Sequence, residues 1–297
     1  MKIIKTAKLN CNPTITEIWI DSETSLIIGV KLGEVDFPID STLYPKTLDD
    51  FEREDVRRIV NRSLKRLGTD YVDLVQFHWW KYEAKHYLAA MEELFILKNE
   101  GKIRHVGVTN FDVDRLSEML SAGFKPASIQ LQYSLIDNRA ENEMTEFCLE
   151  NDISILCYGT VAGGFISEKY LGVGEPKAFE TRSGVKYRLI IEEFGGWDLF
   201  QKLLAVLHEI AKKHETDIGT IASAYILHQP AVTAVIVGAR NREHLNSNLR
   251  IPGIKFTEQE LHNLKNITSL AKGPKGPVYY LERYDSKHRT IMHTNNN

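Results

Sequence analysis

Polar residues close a series of short apolar runs in this chain. His78 ends YVDLVQFH, Thr109 and Asn110 end IRHVGVTN, Tyr158 lies near the end of SILCYGT, and Gly238, Ala239 and Arg240 end TAVIVGAR. A strand end holds a donor or acceptor rigidly, so these positions are where chemistry is expected. The last of them also has an electrostatic rationale. TAVIVGAR runs directly into a helix at NREHLNSNL, and the free backbone amides at a helix start favour an anion. Arg240 stands at that start with a planar fork of donors suited to phosphate, Gly238 and Ala239 let the backbone approach, and His244 and Asn248 follow on the helix.

The elements that must position these residues alternate between helix and buried strand. In YVDLVQFHWW, Val72, Leu74, Val75 and Phe77 crowd a short run downstream of Gly68, which favours a strand covered on both faces. Val106 and Val108 repeat the arrangement one unit later, and ASIQLQYS, SILCYGT and TAVIVGAR repeat it again. The strands end near His78, Asn110, Ser134, Thr160 and Ala239. A helix starting near Glu52 carries Val56, Ile59, Val60, Leu64 and Leu67 at helical spacing and stops at Gly68; a later one, begun by Asp112 as N-cap, ends at Gly123.

This rhythm predicts an α/β fold of the (β/α)8 TIM-barrel type, with its active site on the loops beyond the carboxyl ends of the strands. The front is short. Roughly fifty residues precede the helix at Glu52, where three strands and two helices need about 80. The N-terminal strands are therefore expected to be shortened or incomplete. EIWID and SLIIGVKL read as a hairpin that would cap the open edge by pairing with the strand holding His78 or its neighbour. The stretch from EKYLGV to GGWD reads as a long irregular insert, a usual form for a lid or binding loop. The whole, residues 1–297, is expected to be one domain, with 1–50 atypical, 51–272 regular and 273–297 a polar tail.

At 43% hydrophobic and 26% charged, the chain can bury a large core. A net charge of -3 with a pI near 6.4 argues against nucleic acid or an anionic membrane as partner, since both reward a cationic surplus. Three widely spaced cysteines, Cys11, Cys148 and Cys157, fit a reduced compartment better than a disulfide framework. No signal-peptide pattern opens the sequence, and the expected location is the cytoplasm.

Five segments, SLKRLGTDYVDLVQFHWW, GKIRHVGVTNF, QLQYSLID, YGTVAGGFISEKYLG and VIVGARNREHLNSNL, stand in an order and spacing that resembles the aldo-keto reductase family from about Glu52 to Ala271. The resemblance implies an NADPH-dependent oxidoreductase that reduces an aldehyde or ketone to the alcohol by hydride transfer. It makes His78 the active-site histidine that orients the substrate carbonyl. It gives Thr109, Asn110 and Gln130 to the nicotinamide carboxamide and stacks Tyr158 on the nicotinamide ring. A carboxamide asks for one donor and one acceptor held rigidly, which amides and hydroxyls at strand ends supply. Gly238, Ala239 and Arg240 fall at the phosphate, with Arg240 on a 2′-phosphate and NADPH preferred to NADH. His244 stands where many relatives carry glutamine or arginine, and Asn248 matches the residue that reads adenine. No metal is implied.

The family's other catalytic groups are a proton-donating tyrosine, a lysine that depresses its pKa and a supporting aspartate. They have no clean match here. Asp40 with Tyr44, or Lys31, are alternatives that do not sit comfortably together: if Lys31 ends the third strand, Asp40 and Tyr44 come too late for the second. Two function classes therefore stay open. One is the reductase, acting on a small-molecule carbonyl as a monomer or weak oligomer. The other is a catalytically impaired NADP(H)-binding barrel that serves as a regulatory or binding module.

Overall fold

A computed structural model of the chain describes residues 15–21, 27–32, 51–79, 82–179, 181–238 and 243–291. In chain order its strands are β1 (Ile15–Asp21), β2 (Ile27–Leu32), β3 (Val72–His78), β4 (Ile103–Thr109), β5 (Ser128–Gln132), β6 (Ser154–Tyr158) and β7 (Val232–Val237). The helices are α1 (Arg53–Leu67), α2 (Tyr87–Asn99), α3 (Val113–Ser121), α4 (Met144–Glu150), α5 (Arg182–Phe194), α6 (Trp197–Lys213), α7 (Ile218–Leu227), α8 (Glu243–Arg250), α9 (Glu258–Thr268), α10 (Tyr280–Tyr284) and α11 (Ser286–Arg289).

Local chemistry explains the boundaries. Glu52 and Asp55 form a reciprocal capping box that starts α1, and Gly68, at φ 63°, ends it in the left-handed region. Asp112 accepts from the Arg115 amide and starts α3. Between them, Val56, Val60 and Leu64 turn one face of α1 into the core with Ala90, Met91, Leu94 and Leu97 of α2.

β3 to β7 pair in parallel in sequence order, and the whole sheet runs β2-β1-β7-β6-β5-β4-β3. Along each strand alternate residues divide between two layers. Ile129, Leu131, Ile155, Cys157 and Val235 enter the large core shared with the helices. Leu156, Ala234 and Ile236 form a second, smaller cluster with Leu74 and Tyr158. Leu74 belongs to β3 and its partners to β6 and β7, so the parallel strands curl tightly enough for the first to reach the last two. On that inner face Gln76 Nε2 donates to Ser128 Oγ at 3.1 Å. They meet over Gly107, where a Cβ would collide with both.

The expected hairpin forms, but on the other edge. β1 pairs antiparallel with β2 and with β7, with Ile18 opposite Val237, and not with the strand of His78. The free backbone groups of β7 and β3 are chemically alike, so an apolar pattern does not choose between the two edges. Among the described residues β2 and β3 remain the two margins of the sheet.

Two further segments differ from expectation. The insert before α6 contains α5, capped by Thr181 accepting from the Gly184 amide, and it buries Tyr187, Ile190, Ile191 and Phe194. Four inward residues at helical spacing suffice to dock a helix. The segment read as a tail is packed as far as Ile291: Val278, Tyr279, Glu282, Arg283 and His288 are all buried.

Candidate active site

The strand ends carry the polar residues as expected. His78 closes β3, level with Thr109 in the parallel register, and is exposed. Thr109 Oγ1 donates to the Gln130 carbonyl at 3.0 Å, and the Asn110 backbone amide donates to the same oxygen at 3.0 Å. Asn110 takes φ 58°, a left-handed conformation that asparagine tolerates better than most residues, and so turns the chain from strand toward α3. Its Oδ1 accepts from the Tyr158 hydroxyl at 2.9 Å. Burial pushes the Tyr158 phenol well above its ordinary range, which keeps it a neutral donor in that bond. Thr109, Asn110, Gln130 and Tyr158 are thus brought together by direct contacts across three adjacent strands.

The end of β7 supplies a second group. Asn248, on α8, donates to the Gly238 carbonyl at 3.0 Å, and exposed His244 lies one turn earlier on the same helix. Ala239 and Arg240 lie outside the described residues, as do Asp40 and Tyr44. β2 runs parallel to β7, and Val30 stands level with Val237 through Ile18, so the backbone of Lys31 lies at the same end of the sheet as His78. The donor set suits a dinucleotide: amides and a hydroxyl for a carboxamide, an aromatic ring for a ring, and a glycine at a strand-to-helix turn for phosphate.

What sequence reading missed is the polar network that covers this end of the sheet. Arg139 is fully buried and clamps two carboxylates, Asp137 at 2.8 and 2.7 Å and Glu282 at 3.2 Å to each oxygen. Gln132 Nε2 also donates to Asp137. Lys186 of α5 approaches Glu282 at 3.8 Å, so two cations offset two carboxylates. Burial pulls the Lys186 ammonium down while Glu282 and Asp137 hold it up, and it ends below the ordinary lysine range. Arg283 bonds the carbonyls of Trp79 and Asn110 at 3.0 and 2.9 Å and stacks on Tyr82 at 3.8 Å. It thereby ties the ends of β3 and β4 to α10. Trp79, the residue after His78, is a core residue whose indole donates to the Ala84 carbonyl at 2.8 Å.

Asp137 sets an acid limit on stability. Burial opposes its ionisation, but the charge and hydrogen bonds of Arg139 more than offset that and leave its pKa depressed. A depressed carboxylate contributes stability above its unfolded value, about 3.9, and that contribution is lost as pH falls through the lower folded value. Unfolding monitored by circular dichroism is expected to steepen below about pH 4. Asp137→Asn should flatten that limb, and an unchanged acid limb in the variant would refute the assignment.

The comparisons with known proteins agree with this geometry. The family model described as aldo/keto reductase family matches residues 15–269. Protein tas of Escherichia coli (strain K12) is 27% identical over 267 residues, 83% of this chain and 75% of the relative. The NADH-specific methylglyoxal reductase of the same organism is 29% identical over 218 residues, 70% of this chain and 62% of its own. The solved glycerol dehydrogenase of Gluconobacter oxydans superposes with a TM-score of 0.65 at 22% identity, over 76% of this chain and 67% of that one. Motif order, a parallel sheet with its polar strand ends gathered at one side, and a family match across most of the sequence lead to one conclusion: this chain belongs to the aldo/keto reductase family.

Proposed function

We propose that the chain is an NADPH-dependent reductase of a small aldehyde or ketone. The observation that carries the reading is the convergence of Thr109, Asn110, Gln130 and Tyr158 on one end of the sheet, with His78 at the same level two strands from Gln130. Reduced nicotinamide, when bound, supplies the hydride. Asn110 and Gln130 would hold its carboxamide and Tyr158 its ring, because all three are fixed by backbone or side-chain bonds before any ligand arrives. His78, exposed at the sheet margin, would face the substrate and donate to its carbonyl oxygen. Gly238 and Arg240 would hold the phosphates.

A titration of cofactor fluorescence, run beside carbonyl reduction, tests both halves of the reading. Tight NADPH binding with no reduction of any reactive aldehyde would reject the enzyme and leave a dinucleotide-binding module. The choice of cofactor is a separate question, because one relative is an NADH-specific enzyme. Hydrogen bonds to a charged group are worth about 1.5–3 kcal/mol, so Arg240→Ala is expected to weaken NADPH roughly 10- to 100-fold and leave NADH nearly unchanged. An equal loss for both cofactors would remove the 2′-phosphate role.

A further inference from the structure

We propose that Arg283, in the C-terminal segment, positions His78 for the substrate carbonyl by tying the end of β3 to the fixed turn at Asn110. The inference rests on the reading above, in which His78 donates to the substrate. Arg283 Nη2 donates to the Trp79 carbonyl at 3.0 Å and to the Asn110 carbonyl at 2.9 Å. Two carbonyls that share one nitrogen cannot drift apart independently. His78 and Thr109 form the last paired level of β3 and β4, and Trp79 and Asn110 come directly after it. The guanidinium therefore joins the two chains where their ladder stops.

The two anchors are not equal. The Asn110 amide donates to the Gln130 carbonyl at 3.0 Å, its Oδ1 accepts from Tyr158 at 2.9 Å, and its carbonyl also accepts from the Tyr82 hydroxyl at 3.0 Å. Tyr82 in turn accepts from the Asp112 amide at 3.2 Å, which closes the turn on its far side. β3 lacks a neighbour on its outer side, since among the described residues it is a margin of the sheet. Its end is held by β4, by the Trp79 ring in the core and by Arg283, which carries the rigidity of Asn110 across to the residue next to His78. The guanidinium is itself fixed: Arg283 is buried, and its central guanidinium carbon lies 3.8 Å from the centre of the Tyr82 ring. Glu282, the residue before it, is clamped by Arg139, so the backbone carrying Arg283 cannot shift without breaking a buried ion pair. A misplacement of about 1 Å can cost roughly 10²-fold in rate, so a hold one residue from His78 has leverage on the chemistry.

The test is a double-mutant cycle on the full chain, with kcat for reduction of a reactive aldehyde read at saturating NADPH and cofactor affinity read by fluorescence. Arg283→Met is expected to lower kcat about 10- to 100-fold in the wild-type background. In His78→Ala, where no imidazole is left to misplace, the same change should cost less than about threefold. NADPH affinity should stay nearly constant, because Asn110 keeps its bonds to Gln130, Tyr158 and Tyr82. Tyr82→Phe is the control: it removes a bond to Asn110 but none to Trp79, and should leave kcat nearly unchanged. Arg283→Lys keeps the buried charge but not the flat fork, and should show the same coupling at smaller size. If the methionine variant does not fold, the lysine cycle decides alone. Equal losses in the two backgrounds would make Arg283 merely structural and overturn the proposal, while leaving His78 its role. A loss in Tyr82→Phe as large as that in Arg283→Met would overturn it too, by placing the effect at Asn110. A His78→Ala enzyme as active as wild type would remove the role of His78 itself, and this inference with it.

Discussion

Arg139→Met is expected to destabilise the fold by about 3–5 kcal/mol, because it strands Asp137 and Glu282 as buried carboxylates without their cation. Both carboxylates and the guanidinium are 1% exposed, and the guanidinium makes four hydrogen bonds to them. Water cannot take over that role without opening the packing between α10 and the sheet. The loss should be read by urea denaturation with an unchanged slope, so that it reports stability and not a change in the unfolded chain. The control is the Lys125–Asp152 pair, whose side chains are 51% and 98% exposed. Lys125→Ala should have little measurable effect, since exposed pairs are screened and lose side-chain entropy on forming. A midpoint for Arg139→Met indistinguishable from that control would mean the buried network does not hold the C-terminal segment in place.

That network marks the limit of what the sequence makes legible. The five parallel strands could be read because each gathers β-branched and other apolar residues into a short run bounded by turn residues, even where a polar residue such as Gln76 or Gln130 interrupts it. Their polar ends could be read for the same reason: a side chain that interrupts the pattern at Thr109 or Tyr158 is conspicuous. Asp137, Arg139, Lys186 and Glu282 show no such contrast. A charged residue in a loop or helix reads as solvated surface, and the mutual neutralisation that makes burial affordable joins Arg139 to a partner 143 positions away. α5 was hidden similarly, since Gly184 and its charged residues mask the spacing of Tyr187, Ile190, Ile191 and Phe194. The edge chosen by the hairpin of β1 and β2 was illegible because hydrogen-bonding groups along a strand margin carry no sequence.

His78→Ala is expected to lower kcat for carbonyl reduction by about 10²- to 10³-fold while cofactor affinity changes little, the loss typical of removing one donor from a developing oxyanion. The separation follows from where the strands put the groups. Asn110, Gln130 and Tyr158 belong to β4, β5 and β6 or the turns that leave them, and they are joined by hydrogen bonds that His78 does not enter. His78 stands at the end of β3, the margin of the sheet, with its ring exposed. A residue at the rim can reach a carbonyl that lies over the nicotinamide, and its removal leaves the platform beneath untouched. The Arg283 contacts to Trp79 and Asn110 also survive, because they use backbone carbonyls on either side of the imidazole's strand end. Steady-state kinetics and fluorescence titration on the same preparation decide the matter. If kcat and cofactor affinity fall together, the imidazole is holding the cofactor pocket in shape; if neither falls, the proton and the carbonyl are managed by some other group at this end of the sheet, and His78 leaves the mechanism.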